Sequence, residues 1–152
     1  MKKAFLSLSF LFLLFTFSQA VKAQEPTVSP TLQDTIFEED AEHNLNVARQ
    51  YFKLKKAYKG VLMRFEETFA AYPQFSKMDE FLYIAGASSF YLSNNKGKQK
   101  VDFEDEDEKE KYAPERLREN AIAYLGSVVE QYPDSKFRKD AEKLLKKIKE
   151  EK

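Results

Sequence analysis

The sequence predicts an all-α fold: a right-handed α-solenoid of two helix pairs closed by a C-terminal capping helix. Three observations carry this reading. Apolar residues recur at three- and four-residue steps through most of the chain, and no segment sustains a two-residue alternation. Tyr-Pro occurs twice, at Tyr72-Pro73 and Tyr132-Pro133, in a chain with only five prolines. Each time it stands where one helical pattern stops and the next starts, because proline lacks the N–H and its ring clashes with the preceding turn.

Residues 1–23 read as an export signal. Lys2 and Lys3 precede an apolar run from Ala4 to Phe17, shorter than the ~20 residues that cross a bilayer. Val21-Lys22-Ala23 puts small residues where a signal peptidase reads them, so cleavage is expected before Gln24, with Ser18-Gln19-Ala20 as the other candidate. An uncleaved anchor is the competing reading. Cleavage before Gln24 leaves 22 basic and 25 acidic residues, a net charge of −3. That balance points to neither nucleic acid nor a membrane surface, and no membrane span is expected after cleavage. The chain has no cysteine, so no disulfide framework, thiolate metal site or lipidated cysteine is expected.

Residues 24–34 contain two prolines and small polar residues without periodicity, as in a flexible linker. A helical domain is expected over 35–152. Asp34 or Thr35 can cap its first helix, and Thr35-x-x-Glu38 fits a capping box. That first helix carries Phe37, Ala41, Leu45, Ala48 and Phe52 on one face. The second does the same with Tyr58, Val61, Leu62, Phe65, Phe69 and Tyr72. The third, after a Ser76-x-x-Asp79 box, carries Met78, Phe81, Leu82, Ala85, Ser89 and Leu92. The fourth opens on Pro114, tolerated at a first helical position, and continues through Leu117, Ala121, Leu125, Val128 and Tyr132. The fifth runs through Phe137, Ala141, Leu144, Leu145 and Ile148, opposite a face crowded with lysine. A last helix with a polar outer face suits the end of a solenoid.

Tetratricopeptide repeats are 34 residues long with a characteristic series of small and large positions closed by proline. Counting back from Pro73 puts Leu45, Ala48, Arg49, Phe52, Val61, Phe65 and Thr68 in that series. Arg49 replaces a small residue. In the second repeat Leu82, Ala85, Gly86 and Ser89 precede Ala121, Leu125 and Val128, and the glycine slot is filled. Small residues there let two helix backbones approach closely. The two prolines are 60 residues apart, so the second repeat carries an insertion at about 94–113. Lys96, Lys98 and Lys100 open it, and seven acids between Asp102 and Glu110 follow. An EF-hand begun at Asp102 fails, because Asp107 stands where glycine is needed. The run reads as a solvated charge tract, or a contact for a basic partner, with Val101 and Phe103 pinning it to the body.

The junction Tyr132, Pro133, Ser135, Phe137, Asp140 and Ala141 resembles that of the periplasmic tetratricopeptide protein of the outer-membrane β-barrel assembly machinery, the BamD-like family. The likeness spans roughly Ala41 to Lys149. The resemblance implies a protein of the periplasm, or of the periplasmic face of the outer membrane, that binds other proteins, with outer-membrane assembly components as candidate partners. Members of that family are longer and lipidated at an N-terminal cysteine.

In a solenoid the first helix of each repeat lines the recognition surface. Repeat position assigns Asn46, Gln50 and Lys53 of the first helix and Tyr83, Ala87 and Phe90 of the third to that groove. The expected function is protein–protein scaffolding; the alternative is a chaperone-like module that holds extended peptides. Two repeats lie near the lower limit for a solenoid, so self-association through an open end is a further expectation. No catalysis, cofactor or metal is expected. His43 is the only histidine, and neither a phosphate-binding loop nor a nucleophile elbow occurs.

Overall fold

The computed structural model describes residues 30–151; the export signal and residues 24–29 of the expected linker lie outside the described residues. Among the described residues there are six α-helices and no strand: α1 (Pro30–Gln50), α2 (Tyr58–Ala71), α3 (Met78–Ser93), α4 (Glu106–Lys111), α5 (Pro114–Gln131) and α6 (Arg138–Glu150). Each long helix packs on the next, α1 on α2, α2 on α3, α3 on α5 and α5 on α6. In addition α1 touches α3, and α3 touches α6. No described helix is long and apolar enough to cross a membrane.

The first helix begins earlier than its apolar pattern. α1 starts at Pro30, inside the stretch expected as linker, with proline at the first helical position. Residues 31–36 are all exposed, so this part of the helix has no core periodicity to reveal it. Thr35 is an interior residue whose hydroxyl donates to the Thr31 carbonyl at 2.9 Å. Glu38 does not close a capping box; it accepts from the Ser76 amide at 3.3 Å and from the Ser76 hydroxyl. That contact also removes Ser76 from the expected cap of α3, whose first turn follows Lys77 without a side-chain cap. Beyond Gln50 the chain winds into a π turn, Tyr51–Lys55, and stops at Lys56, which is left-handed with φ 49°.

α2 ends at Ala71 and α5 at Gln131, so Pro73 and Pro133 each stand two residues past a helix end. The two junctions share one backbone path. Phe75 N–H donates to the Tyr72 carbonyl and Met78 N–H to the Phe75 carbonyl. Ser135 N–H and Arg138 N–H repeat both bonds 60 residues later. The second junction matches the repeat pattern better in sequence, yet the proline imposes the same exit on both.

α3 is the central helix. Eleven of its sixteen residues are buried, and Asp79, Glu80 and Tyr83 leave one half-buried edge, whereas α5 buries one stripe, Leu117, Ala121, Leu125 and Val128. A Cβ on Gly86 would lie 2.7 Å from Leu125 Cγ, so the absence of a side chain there sets how closely α3 and α5 approach. Phe65, Phe81 and Phe90 are the largest fully buried side chains. Phe65 meets Phe81 edge-on, with ring centroids 5.5 Å apart.

Candidate functional site

Helices α1 and α3 are joined by charge. Arg49 donates from Nε to Glu80 Oε1 at 2.7 Å and from Nη2 to Oε2 at 2.8 Å, a bidentate fork. Its Nη1 donates to Asn46 Oδ1 at 2.6 Å and to Glu42 Oε1 at 3.3 Å. Lys77, just before α3, donates to Glu42 Oε2 at 2.6 Å. The Arg49 guanidinium holds the Glu80 carboxyl below the usual carboxylate range against the opposing effect of burial, and Glu80 raises Arg49 in return. The hydrogen bond from Lys77 lowers Glu42 in the same way, with Arg49 adding. Arg49, the misfit of the repeat count, thus reaches across to α3.

The same face continues toward α6. Ser135 Oγ donates to Asp79 Oδ2 at 2.6 Å. Tyr83 stacks on Phe137, with centroids 5.3 Å apart. Burial raises the Tyr83 phenol pKa, and Asp140 adds to that effect. Between these contacts lies an open cleft of about 490 Å³, bordered by Arg49, Lys77, Glu80, Ser135, Lys136 and Phe137. A second cleft of about 390 Å³ lies between α1 and α2 and holds the exposed His43 beside Asn44 and Thr68.

The expected groove residues divide. Asn46, Gln50 and Lys53 are exposed on α1 and its π turn, and Tyr83 is half-buried at the edge of the cleft. Ala87 and Phe90 are not surface residues: they are 1% and 0% exposed. Repeat position placed them on an open face, but both are buried, and Lys147 of α6 lies over the Phe90 ring at 5.8 Å. Repeat counting missed Glu80, Lys136 and Phe137. Arg49 was visible in the sequence as the misfit in a small slot, but nothing in the local pattern pointed to Glu80 as its partner.

The insertion is not a free charge tract. Asp105 caps α4 by accepting from the Asp107 and Glu108 amides. Lys59 of α2 donates to both oxygens of Glu108 at 2.5 Å, and that interaction lowers the Glu108 carboxyl. Lys111 reaches Glu66 at 2.6 Å. Val101 packs against the core as expected, whereas Phe103 is 55% exposed and pins nothing. Among the described residues, no three His, Asp or Glu side chains are grouped to hold a metal ion.

A family profile, YfiO, described as "Outer membrane lipoprotein", matches residues 38–151. The match runs from the middle of α1 to the end of α6. The chain belongs to this BamD-like family. The family description names a lipoprotein, although none of the 152 residues is a cysteine. No curated protein and no solved structure matches the chain. Within the YfiO match lie the Arg49–Glu80 fork, the cleft beside Phe137 and the whole insertion, so both sites belong to the family domain rather than to an appended segment.

Proposed function

We propose that this chain is a tetratricopeptide-type scaffold of the cell envelope that takes part in outer-membrane protein assembly by holding a partner protein on its first-helix face. The helix order supports a stacked-pair arrangement, since each long helix packs on the next long helix and α1 also meets α3. The close approach at Gly86 and the matched Tyr-Pro junctions support it as well. The observation that carries the reading is the continuous face of α1, α3 and α6. Its ion pairs close on themselves, while Gln50, Lys53 and the exposed edge of the Tyr83–Phe137 stack are not used by the core. Amides bond an extended backbone, and an aromatic edge adds apolar contact at small ordering cost.

A photo-crosslinking residue placed at Gln50 or Lys53, with Glu115 as a control position, tests this in the envelope. One stoichiometric adduct at Gln50 and Lys53 supports a scaffold. A ladder of unfolded clients at the same positions supports the chaperone-like reading. Adducts at Glu115 alone sink both.

A further inference from the structure

α2 begins without a cap of its own, because Ala57 supplies no side-chain acceptor. The insertion supplies one: Gln99 Oε1 accepts from the Gly60 amide at 3.0 Å. One residue earlier, the Lys98 amide donates to the carbonyl of left-handed Lys56 at 3.0 Å. Gly97 makes this approach feasible. Its φ is 102°, and a Cβ there would lie 2.8 Å from the Lys56 carbonyl oxygen and 2.7 Å from Tyr58 Cδ2. Further along, Lys59 Nζ donates to Glu108 and to the Lys100 carbonyl at 3.2 Å. Glu108 Oε2 also accepts from the Asp102 amide at 2.8 Å, so one carboxylate gathers both limbs of the strap. α4 then bridges the second helices of the two pairs, through Lys111 to Glu66 of α2 and through Glu110 to Arg116 of α5 at 3.8 Å.

Little of this attachment is apolar. No residue of α4 is buried, Val101 is half-buried, and only Tyr112, at the end of the strap, is a buried anchor. The helices beneath are held by a packed core. A segment held by polar groups near the surface opens at a far lower free energy than such a core, and its ion pairs weaken with salt.

We propose that residues 95–111 form a releasable ionic clasp over the start of α2, keyed by Lys59–Glu108, which opens as a unit while the helices beneath stay folded. Closed, the clasp caps α2 and ties it to α5. Open, it exposes the Gly60 amide and the Tyr58 ring and frees the two pairs from their tie on this side. The proposal stands whatever the first-helix face binds.

Amide exchange of the full chain, followed by NMR, tests it. In Glu108→Gln the amides of Gly60, Lys98 and Asp102 exchange about tenfold faster, by a common factor, as a charged hydrogen bond is lost. The amides of α3 and α5 keep their wild-type rates. Raising salt to about 0.5 M moves the same three amides of the wild type in the same direction. Unchanged exchange at Gly60 and Lys98 under both conditions overturns the proposal. So does a rise in α3 and α5 by the same factor, which makes the strap part of the cooperative body. If Glu108→Gln fails to fold, the wild-type salt series decides alone.

Discussion

Two helix-interior glycines invite the same substitution with different outcomes. At Gly86 a Cβ would lie 2.7 Å from Leu125 Cγ, 3.1 Å from Cδ2 and 3.3 Å from the Leu125 backbone nitrogen. The first contact is the branch carbon of the side chain, the second a terminal methyl, and the third is main chain. Turning Leu125 out of its buried rotamer moves the side-chain atoms but leaves the main-chain nitrogen, so α3 and α5 must also part by a few tenths of an ångström. Overpacking of this kind costs about 1–3 kcal/mol, and alanine regains about 1 kcal/mol of helix propensity over glycine. Gly86→Ala should then be neutral to destabilising, by up to about 2 kcal/mol net. Around Gly126 nothing lies within 4 Å of the added carbon, so only the propensity gain remains. Gly126→Ala should stabilise by up to about 1 kcal/mol.

Urea unfolding followed by far-ultraviolet circular dichroism measures both, with an unchanged m-value showing that the change lies in stability. In a domain of this size 1 kcal/mol moves Tm by about 4 °C. If Gly86→Ala stabilises as much as Gly126→Ala, α3 and α5 do not meet as described, and the stacked-pair argument fails with them.

Phe90→Ala should cost about 3–5 kcal/mol as a core truncation, and Gln50→Ala should change stability by less than about 0.5 kcal/mol. Equal small effects in urea melts would return Phe90 to the surface. A double-mutant cycle on Arg49→Ala and Glu80→Ala should show a coupling of about 1–3 kcal/mol, since the Glu80 side chain is only 12% exposed and the fork is bidentate. A coupling near zero would make the fork incidental. Glu80 and Glu42 both have depressed carboxyl pKa values. Their contribution is therefore complete at neutral pH and is lost as pH falls through and below the usual carboxylate range. Urea midpoints measured against pH should drop on that limb, and Glu80→Gln should flatten it.

Helix identity was legible because the apolar residues of each long helix meet a core, and a core imposes a 3.6-residue period. The ends after Ala71 and Gln131 were legible because proline acts on its own neighbours. The start of α1 was not: Thr31 to Ile36 touch no core, so the period appears only at Phe37. The caps misled for a different reason. Ser76 fits a local capping pattern, but Glu38, 38 residues away in sequence, takes its hydrogen bonds. Ala87 and Phe90 were misassigned because repeat position describes one helix pair at a time, whereas α3 is enclosed by neighbours on both sides. The strap was read as solvated because ion pairs such as Lys59–Glu108 and Lys111–Glu66 carry no periodicity at all.

These long-range polar pairs concentrate at one place, the boundary between α1–α2 and the helices that follow. Arg49–Glu80 and Glu42–Lys77 cross it on the side of the first helices. Lys59–Glu108 and Lys111–Glu66 cross it on the side of the second helices. Apolar packing between α2 and α3 confines their crossing angle to what the interdigitated side chains allow. Two sets of directional contacts, one from α1 to the start of α3 and one from α2 to the strap, narrow it further. The surface between Gln50 and Tyr83 is accordingly held by the Arg49–Glu80 fork, and a partner bound there as proposed would meet groups already ordered. The α3–α6 part relies on the Tyr83–Phe137 stack and the Ser135–Asp79 bond instead. Opening the strap removes only one of the two braces, so it should loosen the angle between the pairs without separating them.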